Sequence, residues 1–145
     1  MSRIVSVDPG RHKCGLVLVD CDSDCVIAGR VVATQDVLDT LQCWRQLAPI
    51  ERMVLGNGTA SDSLRDQLPE DLPVKLVDER GTTLQARKRY WQLWPPKGWR
   101  RLIPQGLLLP PTELDALAAL VILESELGRE MLWPGPAPFR TELAP

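Results

Sequence analysis

Residues 3–20, RIVSVDPGRHKCGLVLVD, decide how the chain folds. RIVSV (3–7) is a short run rich in β-branched residues and reads as a buried strand. Asp8 closes it, and Pro9 and Gly10 turn the chain sharply. A second apolar run, 15–19, follows so soon that the two strands must pair antiparallel, since a parallel return needs a long crossover. A third run, 26–33, is joined to the second by CDSDC (21–25), a hairpin turn. The opening of the chain is therefore an antiparallel meander of three strands.

Downstream the pattern changes. Thr34 or Gln35 opens a helix whose Val37, Leu38, Leu41, Trp44 and Leu47 fall on one stripe, and Pro49 ends it. Residues 52–56 form a fourth strand, and GNGT (56–59) leads into a helix over about 61–68. A fifth strand spans 73–78. Thr82 and Thr83 can cap the next helix, and Thr82 with Gln85 fits a capping box. That helix runs to about Trp94, where Pro95 and Pro96 stop it. Residues 95–111 are irregular and rich in Pro and Trp. A strong last helix spans 113–127 and stops at Gly128. Three hairpin strands followed by alternating helices and strands predict an α/β fold. Its sheet is mixed and five-stranded, antiparallel in its first three strands and parallel in the fourth and fifth, with helices on both faces. One domain is expected over 1–128, followed by a Pro-rich tail over 129–145 that reads as an extended arm.

Composition narrows the class. At 145 residues the chain can bury a real core, and its 44% hydrophobic and 25% charged residues are those of a globular protein. No secretory leader is read at the N-terminus, and the most apolar stretch, 114–127, is too short to span a bilayer. A cytoplasmic location with no membrane partner is expected. The four cysteines and single histidine make a poor zinc set, so the thiols read as reduced and structural.

The net charge of −2 hides a strong asymmetry. From Arg80 to Arg101 there are seven basic residues and no acidic one, leaving ten basic and nineteen acidic residues elsewhere, a net of −9. Three of the five tryptophans, Trp91, Trp94 and Trp99, lie in that basic stretch. This is the footprint of a nucleic-acid partner in a chain that is not basic overall. Arg87 and Lys88 are placed to hold phosphates. Arg100 and Arg101 beside Trp99 suit backbone contact with base stacking. Ala86, Tyr90, Leu93 and Trp94 form a core stripe, and Trp91 is expected to pack under the segment that follows.

Carboxylates carry the chemistry. In an open α/β sheet, sites form beyond the carboxyl ends of the strands. Asp8 closes the first strand, Asp78 and Glu79 close the fifth, and Asp115 lies in the first part of the last helix, preceded by Glu113. Singly, each reads first as a turn or helix-start residue and only second as a ligand. Asp115 stands out because it interrupts an apolar helix, where a carboxylate needs a partner. Together they could hold one or two Mg²⁺ or Mn²⁺ ions, which prefer oxygen ligands. In GNGT, the glycines permit close backbone approach, and Asn57 and Thr59 can hydrogen-bond a ligand. His12 could contact a phosphate or assist a water, and Lys13 could contact phosphate from the same turn.

These residues also resemble a family. DPGRHKCG is similar to the D-x-G-x-x-x-x-G opening of RNase H-like nucleases. VDERGTTLQA resembles the D-E-R-x-T-T/S-x-x-A signature of the YqgF/RuvX family, and DALAALVILE resembles that family's last helix. GNGT resembles the loop after the fourth strand in these proteins and in the related domain of the transcription accessory protein Tex. The resemblance spans residues 3–128 in one register. It implies an RNase H-like fold and a divalent-metal nuclease with Asp8, Glu79 and Asp115 as ligands and Asp8 bridging two ions. Arg80, Thr82 and Thr83 match the segment that shapes the site. The family is linked to 5′-end maturation of the small-subunit ribosomal RNA precursor, and a Holliday junction resolvase activity is also attributed to it. Resolvases of the RuvC type carry a further aspartate three residues before the last one. Here that place is Thr112, so a fourth ligand is missing unless Glu113 substitutes. The 95–111 segment also departs from the family's short linker.

The function expected is thus a metal-dependent nuclease on structured RNA, with a junction-cleaving DNA endonuclease and a non-catalytic binding module as alternatives. Monomer and homodimer both stay open.

Overall fold

The computed structural model describes residues 2–58, 60–78, 80–104, 107, 108, 110 and 113–135. Its strands are β1 (Arg3–Asp8), β2 (Lys13–Asp20), β3 (Cys25–Ala33), β4 (Arg52–Gly56) and β5 (Val74–Val77). Its helices are α1 (Val37–Leu47), α2 (Ser61–Gln67), α3 (Thr82–Leu93) and α4 (Asp115–Leu127). The sheet order is β3-β2-β1-β4-β5. β1, β2 and β3 pair antiparallel, whereas β4 pairs parallel with β1 and β5 parallel with β4. The mixed five-stranded sheet expected from the sequence is the one observed. Asp24 takes a left-handed conformation (φ 53°) in the turn between β2 and β3.

Alternation along β1 splits the core in two. Val5 and Val7 face one side, where Leu16, Leu18, Met53 and Leu55 meet α1 through Val37, Leu41 and Trp44 and α2 through Leu64. Ile4 faces the other side with Val17, Val19 and Val54, against α3 and α4. Ser6 points the same way and donates its hydroxyl to the Ala119 carbonyl in the middle of α4 at 2.7 Å, fully buried. With a period of two, Asp8 also belongs to the α4 face.

α4 is apolar nearly all round, with Ala116 to Leu123 buried, as a helix sandwiched between a sheet and a second helix must be. It ends at Gly128, whose φ of +69° closes the last turn. Residues 129–135 return over the domain. Met131 is buried, and Leu132 bridges to Cys25. Trp133 lies over Gly29, where an added Cβ would stand 2.4 Å from the indole.

Two boundaries differ from the sequence reading. Thr82 does not cap α3: Gly81 does, in the left-handed region at φ +74°, and no side chain completes a capping box. The last helix starts at Asp115, so Asp115 opens it rather than lying inside it. A short 3-10 turn, Gly98–Leu102, also forms within the segment read as irregular. Among the described residues, no helix is long and apolar enough to cross a membrane.

Candidate functional site

β1, β4 and β5 run parallel, so their carboxyl ends share one edge of the sheet. The register aligns Val7 with Leu55 and Gly56 with Val77. Asp8, Asn57 and Asp78 therefore step out from neighbouring strands, roughly 4.8 Å apart per strand. Asn57 is exposed, and its backbone N–H donates to the Val77 carbonyl at 3.0 Å. Asp78 uses Oδ1 to accept the Arg80 N–H at 3.1 Å, so here it shapes the turn out of β5. Glu79 and Thr59 lie outside the described residues, as does Thr112.

Asp115 reaches the same edge because of one small residue. Asp8 is paired with Gly15 across β1 and β2, and both belong to the α4 face. A Cβ on Gly15 would lie 1.9 Å from the Asp115 carbonyl oxygen and 2.5 Å from the Ala116 nitrogen. Only hydrogen at that position lets the first turn of α4 rest directly on the sheet. Directly opposed residues in such a pair have Cβ positions about 5 Å apart. Gly15 is thus the shared neighbour of Asp8 and of the backbone that opens α4, although 107 positions separate Asp8 from Asp115 in the sequence.

Lys13 sets the charge balance. Its ammonium lies 3.2 Å from Glu113 Oε1 and 3.4 Å from Asp115 Oδ2. Burial alone would pull its pKa down, but the hydrogen bonds and charges of these carboxylates outweigh that and hold it above 10.5. The second oxygen of Glu113 is buried with no hydrogen-bond partner among the described residues. A buried carboxylate oxygen without a donor is costly. The donor set at this edge is hard, all oxygen, and suited to Mg²⁺ or Mn²⁺ rather than to a thiophilic ion. Among the described residues, no three acidic, His or Cys side chains converge into a finished metal cage, and Glu79 stands outside that set.

The remaining sites sort by burial. His12 is exposed, and its carbonyl accepts the Thr34 N–H at 3.0 Å. Arg80 and Lys88 are exposed, Arg87 is partly buried, and Thr82 is buried. Trp91 packs in the core, 5% exposed, as expected. Trp99 is 70% exposed, with the Arg100 guanidinium 6.0 Å from its ring centroid. Arg101 is exposed and donates to the Gly98 carbonyl at 3.3 Å. The four cysteines are free thiols.

Sequence reasoning did not anticipate the use of Arg89. It is buried and does not belong to the phosphate-facing set. Its Nη2 donates to Glu124 Oε2 at 2.9 Å and to the Met131 carbonyl at 2.8 Å, while the Met131 N–H donates to the same Glu124 oxygen at 2.7 Å. This latch ties α3, α4 and the returning segment together.

No family model matches the chain. A Bacteroides fragilis protein named "Putative pre-16S rRNA nuclease" is 29% identical over 147 residues, covering 91% of this chain and 100% of its own length. A Phocaeicola vulgatus protein of the same name is 28% identical over 141 residues, covering 88% of this chain and 96% of its own. Among solved structures, Thermus thermophilus RuvC in complex with a Holliday junction substrate is similar with a TM-score of 0.52 at 15% identity, covering 89% of this chain and 98% of that one. The fold is RNase H-like, and fold and relatives together bear out the resemblance to the YqgF/RuvX family.

Proposed function

From its kinship with the YqgF/RuvX proteins, we propose that this chain is a divalent-metal-dependent nuclease that trims the 5′ end of the small-subunit ribosomal RNA precursor. The observation that supports the reading is Gly15, which pairs with Asp8 across the strands and lets the Asp115 backbone rest on the sheet beside it. The names of the relatives supply the reaction class and the RNA.

Asp8, Glu79 and Asp115 are the proposed ligands, with Glu113 available to a second ion. A bound divalent ion would supply charge neutralisation at the phosphate and a lowered pKa for a water. In the hydrolysis, a water oxygen bonds to phosphorus, one P–O ester bond breaks, and the leaving oxygen takes up a proton. Lys13 would face the substrate phosphate once its carboxylate partners turn to the metal. Arg87, Lys88, Arg100 and Arg101 would hold the backbone on either side, and the acidic remainder of the surface would disfavour non-specific binding.

Cleavage of branched DNA is a second reading, favoured by the match to nearly the whole RuvC chain. Thr112 counts against it, at the place where resolvases carry an aspartate. A panel of end-labelled precursor RNA, single-stranded RNA and a four-way DNA junction, each with Mn²⁺ or Mg²⁺, tests the two together. Metal-dependent trimming of the precursor supports the first reading. Symmetric cutting of the junction by a dimer replaces it with the second.

A further inference from the structure

Between the last turn of α3 and the 3-10 turn Gly98–Leu102 lies a half-open cleft of about 320 Å³. Trp91, Trp94 and Pro96 form its walls, and Lys97 and Arg100 line it with positive charge. Trp99 stands exposed in the same turn, paired with the Arg100 guanidinium. The indole N–H of Trp91 is buried and has no acceptor among the described residues. An unsatisfied buried donor is a cost that folding alone does not explain.

Flat apolar walls, a free donor and flanking cations are the features that recognise a nucleobase and its phosphates. The size is that of a small-ligand pocket. A protein partner is less suited, because the stretch from Arg80 to Arg101 has no acidic residue while the rest of the chain carries −9. That contrast selects a polyanion. A duplex is also unsuited, because its bases are stacked and paired and cannot enter a cleft. We propose that this cleft is a subsite for one unpaired base of the substrate strand. Trp99 stacks on the neighbouring base, and Lys97, Arg100 and Arg101 hold the phosphates between them. A small shift of the Trp91 ring lets its N–H reach an acceptor on the base edge.

The inference rests on the nuclease reading and deepens it. α3 starts at the carboxyl edge of the sheet and runs twelve residues, so the cleft lies roughly 18 Å from the carboxylates along the helix axis. The enzyme then requires a single-stranded extension several nucleotides long, anchored away from the scissile bond.

Binding in EDTA, where no cleavage occurs, tests this with the full chain. Fluorescence anisotropy would compare an RNA hairpin bearing a single-stranded extension with the same hairpin made blunt, for wild type, Trp99→Ala, Arg100→Gln and Trp91→Phe. Trp99 is on the surface, so its replacement leaves the fold intact, and circular dichroism checks this for Trp91→Phe. Trp99→Ala should weaken the extended hairpin about tenfold or more and leave the blunt one unchanged. Trp91→Phe should weaken the extended hairpin alone. Equal loss on both hairpins, or no loss on either, overturns the subsite. If wild type prefers the extended hairpin through Trp99 yet cuts no substrate with Mn²⁺, the nuclease reading fails while the subsite stands.

Discussion

Gly15 lies directly beneath the backbone of Asp115, so close that its missing Cβ would fall 1.9 Å from the Asp115 carbonyl oxygen. The contact is with backbone, which cannot swing aside. Gly15→Ala should therefore push the start of α4 off the sheet and separate Asp115 from Asp8. Overpacking of this kind costs about 1–3 kcal/mol or more. Urea denaturation should show that loss, and metal-dependent activity should fall further than stability accounts for. Gly29→Ala is the control: its Cβ would meet the Trp133 side chain at 2.4 Å, and a ring can move, so activity should survive.

Lys13 neutralises Glu113 and Asp115 from 3.2 and 3.4 Å. Any cation entering the site competes with it. In Lys13→Gln the carboxylates repel one another without a counter-charge, so metal-free thermal stability should drop. A half-exposed pair is worth about 1 kcal/mol, and Mn²⁺ should bind about fivefold more tightly by calorimetry. Weaker binding of Mn²⁺ would mean that Lys13 helps to build the site rather than to balance it.

The Arg89–Glu124 pair is buried on both sides, with side-chain exposures of 11% and 10%. Arg89→Met leaves the Glu124 charge uncompensated and should cost about 3–5 kcal/mol. Adding Glu124→Met should recover part of that, because both charges are then gone. Urea midpoints of the two variants check this. A double variant no better than the single one would show that the Met131 backbone contacts carry the latch.

Alkaline pH should destabilise the protein through Cys14. Burial pushes its thiol above the ordinary 9.0, against weaker lowering by Gly10 and Thr34. The unfolded chain releases that proton near pH 9.0 while the folded chain retains it. The associated stability is therefore whole below pH 9.0 and is lost as pH rises above it. Lys13, raised above 10.5, adds a loss of the same sign that begins near that value. Melting temperatures taken upward from about pH 8 should fall, and Cys14→Ala should flatten the first part of the decline.

Strand and helix order was legible because it rests on local patterns. RIVSVD, CDSDC and RMVLG each carry their own periodicity or turn chemistry, and β1 and β4 match their expected bounds. The start of α3 was not, because the glycine before Thr82 takes a left-handed conformation that only the folded backbone reveals. Arg89 looked like part of a basic face because its partners, Glu124 and Met131, are 35 and 42 residues away. Asp8 could be named from its place at the end of a strand, and Asp115 as a carboxylate in an otherwise apolar helix, although it opens that helix rather than lying within it. Their approach to one another could not, since it depends on Gly15 and on the Ser6 hydroxyl that fixes α4 across β1.

The most direct test of the nuclease account is a cleavage assay on end-labelled precursor of the small-subunit ribosomal RNA with Mn²⁺, comparing wild type with Asp8→Asn and Asp115→Asn. The account predicts metal-dependent shortening of the 5′ end by wild type. Both variants should lose cleavage by several orders of magnitude while binding the RNA in EDTA as tightly as wild type. Full cleavage by either variant, or tight binding without cleavage by wild type, would contradict it.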